Sequence, residues 1–260
     1  MQFCSIGSGS KGNGTLIKKG ETCILIDNGF TVKEFENRLA QKGLTPLNLT
    51  AILITHEHSD HIKGVGPLAR KYRIPVYCSH GTAQHEGLGT IPSLKVIDSH
   101  TDFKINDLII TPVVVPHDAR EPTQFVVSDG EFRVGVLTDL GSLTPHVIKS
   151  YQDCHGLLIE TNHDVSMLRR GPYPPKLKVR VEGDKGHLNN EQAYYFLTQL
   201  NKASLKYVVA THISEQNNKT ELAIESICRG LNCDPEFVIM ATQENGFDWC
   251  HLTQTSHVVA

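Results

Sequence analysis

Thr55-His56-Glu57-His58-Ser59-Asp60-His61 follows the apolar run Ala51-Ile52-Leu53-Ile54 and reads H-x-H-x-D-H. The run predicts a buried strand over 51–55. Alternate side chains of an extended chain share a side, so His56 and His58 point the same way. Asp60 and His61 begin the next helix and can turn toward a second point. One short segment thus offers four ligand atoms to two neighbouring metal ions. A polar, His-rich loop would have no need of four ligand-type residues directly behind a buried strand.

Working outward, further ligand types stand at strand ends, where α/β sites collect. His117 follows an apolar strand and Pro116, Asp139 follows the strand over 134–138, and His212 follows the strand over 207–211. Any one of these alone would pass for a loop residue; beside the His56–His61 cluster they read as the rest of a ligand set. Asp27 closes the apolar run Cys23-Ile24-Leu25-Ile26 and precedes Asn28-Gly29, the residues of a turn.

The composition fits a folded α/β protein. The chain has 260 residues, 39% hydrophobic and 20% charged, which excludes a disordered chain. No apolar run reaches the ~18–20 residues that span a bilayer, so no membrane partner is expected. Met1–Gly7 lacks the basic-then-apolar order of a signal peptide. Seven cysteines without a C-x-x-C pair argue against a disulfide framework or a zinc ribbon, and for a reducing cytoplasm. The net charge of −3 means that any nucleic-acid binding must come from a local patch. Fourteen histidines against one Trp make metal chemistry the class to weigh first.

Short strands with glycine turns are predicted over 2–6, 15–18 and 22–27. A helix capped by Thr31 follows, with Glu34 completing a capping box and Gly43 closing it. A helix is expected over 62–72, then mostly strand from 76 to 138, with a hairpin at Ser128-Asp129-Gly130-Glu131. Helices over 144–151, 189–200 and 220–229 alternate with strands over 156–160, 207–211 and 237–240. Two halves, each a sheet with outer helices, imply a four-layered αββα sandwich: an α/β fold with residues 1–260 as one domain. Gly7-Ser8-Gly9-Ser10-Lys11-Gly12 matches the dinucleotide pattern G-x-G-x-x-G literally. That motif needs a helix next, whereas a strand follows here, so its glycines serve tight turns or close approach beside the ligands.

The ordered set SIGSGSKGNGT, LIDNG, THEHSDHIKGVGPLARKY, VPHDAREP, TDLG, ETNHD, RRGPYPPKLK, GHLNNEQA and THISEQNN spans residues 5–218. It resembles the YycJ-like (WalJ) branch of the metallo-β-lactamase fold superfamily. The resemblance implies that His56, His58 and His117 hold one metal ion. Asp60, His61 and His212 would hold another, with Asp139 bridging and Asp27 orienting the ligand loops. Like the nuclease branch, Glu160 would orient His187, which would contact the scissile phosphate or protonate the leaving oxygen. Asp60, Glu160 and His187 are therefore the catalytic candidates, and His163 a supporting residue or a substrate contact.

A carboxylate bridge keeps two cations close and suits in-line displacement at phosphorus by a metal-activated hydroxide. Histidine–carboxylate sites accept Zn or Mn alike. The resemblance further implies a 5′→3′ exonuclease on double-stranded DNA, linked to mismatch repair and its proteins. The interval from Asp139 to His212 is too short for the β-CASP cap domain of related nucleases. Residues 167–180 carry five cations and no acid, so Arg169, Arg170, Lys176, Lys178 and Arg180 are the DNA-backbone candidates. The competing reading is a small-molecule hydrolase of the same fold, a cyclic phosphodiesterase or a glyoxalase-type thioesterase, which leaves that basic stretch unexplained.

Overall fold

The computed structural model describes residues 1–254. Its strands are β1 Gln2–Gly7, β2 Gly14–Lys19, β3 Thr22–Ile26, β4 Ala51–Leu53, β5 Val76–Cys78, β6 Leu94–Val96, β7 Phe103–Ile105, β8 Leu108–Val114, β9 Thr123–Ser128, β10 Arg133–Leu137, β11 Gly156–Glu160, β12 Tyr207–Thr211, β13 Val238–Met240 and β14 Phe247–His251. The described residues form two seven-stranded sheets, ordered β14-β1-β2-β3-β4-β5-β6 and β13-β12-β11-β10-β9-β8-β7. Both are mixed: β3 to β6 run parallel in the first, β10 to β13 in the second.

Side-chain alternation separates the layers. Phe3, Ile17 and Ile24 are register partners on one face, and Phe3 meets Tyr207 of the other sheet edge-on, ring centroids 5.9 Å apart. Along β11, Leu158 joins this inter-sheet core, while Leu157 and Ile159 belong to a second core. Phe35 and Leu39 of α1 (Val32–Gln41) and Leu68 and Ala69 of α3 (Val65–Tyr72) pack on the first sheet. Val147 of α5 (Pro145–Ser150), Phe196 of α8 (Asn190–Thr198) and Ile227 of α9 (Thr220–Leu231) cover the second. The expected four layers are therefore present. No helix among the described residues is long and apolar enough to cross a membrane. All seven cysteines are unpaired.

Several elements differ from expectation. The helix over 62–72 is broken into α2 (Ser59–Ile62) and α3. Gly64 lies between them, its N–H bonded to the Asn28 carbonyl at 2.9 Å, and a Cβ there would overlap the Phe30 carbonyl. Half of the capping box forms: Thr31 Oγ1 accepts from Glu34 N at 3.3 Å, but the Glu34 carboxylate pairs with Arg38 instead. The stretch expected as mostly strand contains the short helix α4 (His80–Ala83). The basic stretch folds as two helices, α6 (Val165–Arg170) and α7 (Pro175–Glu182), and β14 is a strand beyond those expected.

Candidate metal centre

The parallel strands of both sheets deliver their C-terminal ends to one edge. Asp27 follows β3, His56–His61 follow β4, His117 follows β8, Asp139 follows β10, Glu160 ends β11 and His212 follows β12. Asp27, Asp139 and His212 have positive φ, 63°, 53° and 52°. A side chain with a Cβ adopts that left-handed turn at about 1–3 kcal/mol. Here it bends the backbone out of the strand direction within two residues of a strand end.

Buried Asp27 ties the loops together. Its Oδ1 accepts from Thr55 N at 2.8 Å, and its Oδ2 accepts from Thr55 Oγ1 at 2.7 Å. The same Oδ2 lies 2.8 Å from His61 Nδ1, so His61 turns Nε2 inward. These are the contacts an orienting residue would make.

Two groups of facing atoms result. His58 Nδ1 stands 3.0 Å from His56 Nε2 and 3.2 Å from His117 Nε2. Beside them, Asp60 Oδ2 lies 3.5 Å from His61 Nε2 and 3.8 Å from His212 Nε2. Asp139 adjoins both groups, with its Oδ2 3.2 Å from His61 Nε2, and its potential ligand atom falls within 4.8 Å of those of His56 and His61.

The donor set fits divalent metal. Nitrogens about 2.0–2.1 Å from a tetrahedral zinc stand roughly 3.3 Å apart, close to the spacings seen. The remaining ring nitrogens are engaged as ligand-orienting groups require: His117 Nδ1 with Gly186 O at 3.0 Å and His212 Nδ1 with Glu160 Oε1 at 2.8 Å. Asp139 Oδ2 and His212 Nε2 are buried without a hydrogen-bond partner, a deficit that a cation would fill.

Charge agrees. Burial, with neighbouring imidazoles, holds His56 and His117 below the usual histidine range, neutral with lone pairs available. For Asp139, burial opposes ionisation, but His212 and His61 outweigh it and keep the carboxyl far below its ordinary value. His61 and His212 are raised in turn: burial works against them and Asp139 prevails.

Glu160, fully buried, has four partners. Oε1 lies 2.8 Å from both His187 Nδ1 and His212 Nδ1, and Oε2 accepts from Leu188 N at 3.0 Å and Leu140 N at 3.3 Å. His187 thereby keeps Nε2 for the cavity it lines. That cavity, about 520 Å³, is lined by His58, Asp60, Asp139, His187 and His212 among others. His163 is fully buried, its Nδ1 3.3 Å from Asn162 Oδ1, and it does not line the cavity. The expected alternative of a substrate contact fails for lack of access.

The basic stretch is less uniform than its composition implied. Arg169 pairs with Glu182, and Arg180, at the cavity, pairs with Asp118, both acids outside the stretch. Lys178 Nζ donates to the Arg169 carbonyl at 2.8 Å. Arg170 and Lys176 have no ion pair among the described residues.

Residues 22–213 match the Beta-lactamase superfamily domain. The chain is 36% identical to exodeoxyribonuclease YycJ of Bacillus anthracis, covering 89% of each chain. It is also 36% identical to exodeoxyribonuclease WalJ of Streptococcus pneumoniae, covering 86% of this chain and 85% of that one. The chain belongs to the metallo-β-lactamase superfamily. The fold agrees with the crystal structure of the metallo-β-lactamase fold protein YhfI from Bacillus subtilis, TM-score 0.71 at 18% identity, covering 95% and 97% of the two chains. As a member of this superfamily it is a metal-dependent hydrolase.

Some partners of this metallo-β-lactamase centre were not visible in sequence. Asn13 Nδ2 lies 3.3 Å from Asp60 Oδ2 and 3.1 Å from His61 Nε2, so the glycine-rich loop contributes a polar contact as well as turns. Asp118 Oδ1 lies 3.5 Å from His117 Nε2. The only sequence signal for Asp118 is its adjacency to a ligand candidate, and for Asn13 its place in the GSGSKGNG turn.

Proposed function

We propose that the chain is a metal-dependent exodeoxyribonuclease acting 5′→3′ on double-stranded DNA, with two divalent cations, Zn or Mn. The observation that carries this is the Glu160–His187 pair at the cavity beside the facing ligand groups. It occurs in a chain alike along most of its length to two proteins named exodeoxyribonucleases.

His56, His58 and His117 would hold one cation, and Asp60, His61 and His212 the other, with Asp139 between. Bound there, the cations would ionise a water near neutral pH and polarise the phosphate oxygens. The protein's own part is positional. Asp27 fixes the His61 tautomer. Glu160 holds His212 in the Nδ1–H tautomer and orients His187 through Nδ1, so that His187 Nε2 would face the leaving oxygen or the scissile phosphate. Fully buried His163 supports the same wall. Arg170, Lys176 and Lys178, with Arg169 and Arg180, would grip the DNA backbone.

We place this activity in the cytoplasm, as the unpaired cysteines suggest, and alongside mismatch-repair proteins, as the sequence resemblance implies. The test uses purified protein with Zn or Mn on linear duplex DNA labelled at either end, beside cyclic phosphates and thioesters. Stepwise release from the 5′ end supports the reading. Turnover of a thioester or cyclic phosphate without DNA cleavage would replace it.

A further inference from the structure

The cavity lining has contrasting chemistry. Part of it is α7, whose Leu177 and Val181 sit at i and i+4 on a single face, preceded by Tyr173. The lining also includes Ser10 and Lys11 from the β1–β2 loop and Ser214 from the loop after β12. Two cations are among the lining residues, Arg180 of α7, paired with Asp118, and Lys11, paired with Glu215 at 2.8 Å. The site thus combines the polar candidate ligands, two cations and an apolar, aromatic strip of Tyr173, Leu177 and Val181.

Tyr173 lies between Pro172 and Pro174, with Pro175 opening α7. Prolines on both sides confine its backbone to extended conformations, so the ring is presented without the entropy of a free loop. It is half-buried, and its hydroxyl has no hydrogen bond among the described residues. A core tyrosine buries its ring and satisfies its hydroxyl, as Tyr151 does with the Val136 carbonyl at 2.6 Å. Tyr173 does neither.

A cavity of 520 Å³ is the size of a small-molecule site, ~300–1,000 Å³. A single nucleotide is of the size that such a space takes. We propose that Tyr173, backed by Leu177 and Val181, stacks on the base of the terminal nucleotide, so the enzyme takes that nucleotide unpaired and unstacked from the duplex. This rests on the nuclease reading above and specifies its substrate. Every base has a π-face, so such a platform serves all four alike. It also repays part of the unstacking cost at a fully paired end.

The test is a cycle of two changes: Tyr173→Ala in the protein, and removal of the terminal base in the DNA. Binding is read by anisotropy on duplexes whose last linkages are methylphosphonates that resist cleavage, ending in a normal or an abasic nucleotide. Tyr173→Ala should weaken binding on the order of 5- to 150-fold at the normal end, the range of base–aromatic stacking, and leave the abasic end unchanged. Tyr173→Phe should bind as wild type. Cleavage by Tyr173→Ala should recover toward wild type when the terminal pair is mismatched, since melting then costs less. Equal losses on normal and abasic ends would overturn the stacking role and leave the nuclease reading intact. A wild-type protein that neither binds nor cleaves DNA would overturn both.

Discussion

Glu160→Gln should damage the centre more than its isosteric change suggests. The carboxylate serves four partners, two histidine nitrogens at Oε1 and two backbone amides at Oε2. A carboxamide has one acceptor oxygen and one NH2 group, so it cannot serve both pairs. With its oxygen toward the amides, its NH2 faces His187 and His212 and forces their Nδ1 atoms to accept. His212 Nε2 then carries a proton where the metal needs a lone pair. With its oxygen toward the histidines, its NH2 confronts Leu140 and Leu188 N–H, leaving two buried donors unpaired. At about 1–3 kcal/mol per unsatisfied buried group, this second arrangement costs on the order of 2–6 kcal/mol, whereas the first spoils the His212 ligand instead. The penalty divides between folding and metal affinity. Metal affinity should fall about 10- to 100-fold, as when an outer partner of a ligand is removed. Turnover should fall roughly 10²–10⁴-fold through His187. Chelator competition, urea denaturation and cleavage of linear duplex DNA read the three effects separately. Native metal affinity with native turnover would refute the assignment of Glu160 as the shared anchor.

Asp139→Ala should lower bound metal below two equivalents and abolish turnover, checked by metal analysis; two retained equivalents with full activity would remove Asp139 from the bridge. For DNA, Arg170→Ala with Lys176→Ala should flatten the salt dependence of binding by about 0.9 for each phosphate that the variant no longer neutralises. Arg169→Ala should change the slope less, because Glu182 already neutralises it; the opposite order would reverse the assignment. Burial holds the His163 imidazole at about 4, below its ordinary 6.5. The unfolded chain therefore binds the extra proton between those values. His163's contribution is complete above pH 6.5 and disappears as pH falls toward 4, about 3 kcal/mol in all. Urea denaturation of wild type and His163→Leu at pH 7 and pH 4.5 should show the variant losing less stability on acidification; parallel losses would refute it.

The candidate ligand positions were legible because His56, His117, Asp139 and His212 each stand within three residues of a strand end, His58, Asp60 and His61 follow close behind His56, and strand ends of parallel sheets share an edge. Periodicity located β11 and β12 to the residue. What escaped depends on neighbours distant in sequence. Asn13 meets Asp60 and His61 only because the β1–β2 loop crosses the end of α2. The break before α3 is set by the Phe30 carbonyl, which leaves no room for a Cβ at Gly64. The basic stretch reads as unopposed charge until α7 brings Arg180 to Asp118 and Arg169 to Glu182. Composition counted those charges correctly, but their neutralisation belongs to the fold.

The backbone at the centre explains why ligands from both sheets converge. A strand that ran on in extended geometry would carry its next side chain away along the sheet. The positive φ at Asp27, Asp139 and His212 turns the chain out of extended geometry at a single residue. Glycine would adopt that turn more easily, yet has no ligand to offer, so each position accepts about 1–3 kcal/mol of strain. The offset lies in the network: Asp27 bonds Thr55 and His61, His212 N donates to Ser8 Oγ at 2.9 Å, and Glu160 holds His212 from β11. Metal binding adds to the same side of the balance. Two mutually repelling carboxylates, Asp60 and Asp139, and the crowded imidazoles around them are stable together only while positive charge lies between them. Histidine protons can supply that charge at the second group, but only at the expense of ligand lone pairs. Cations supply it while using those lone pairs, which makes the strained strand ends a site prepared for metal.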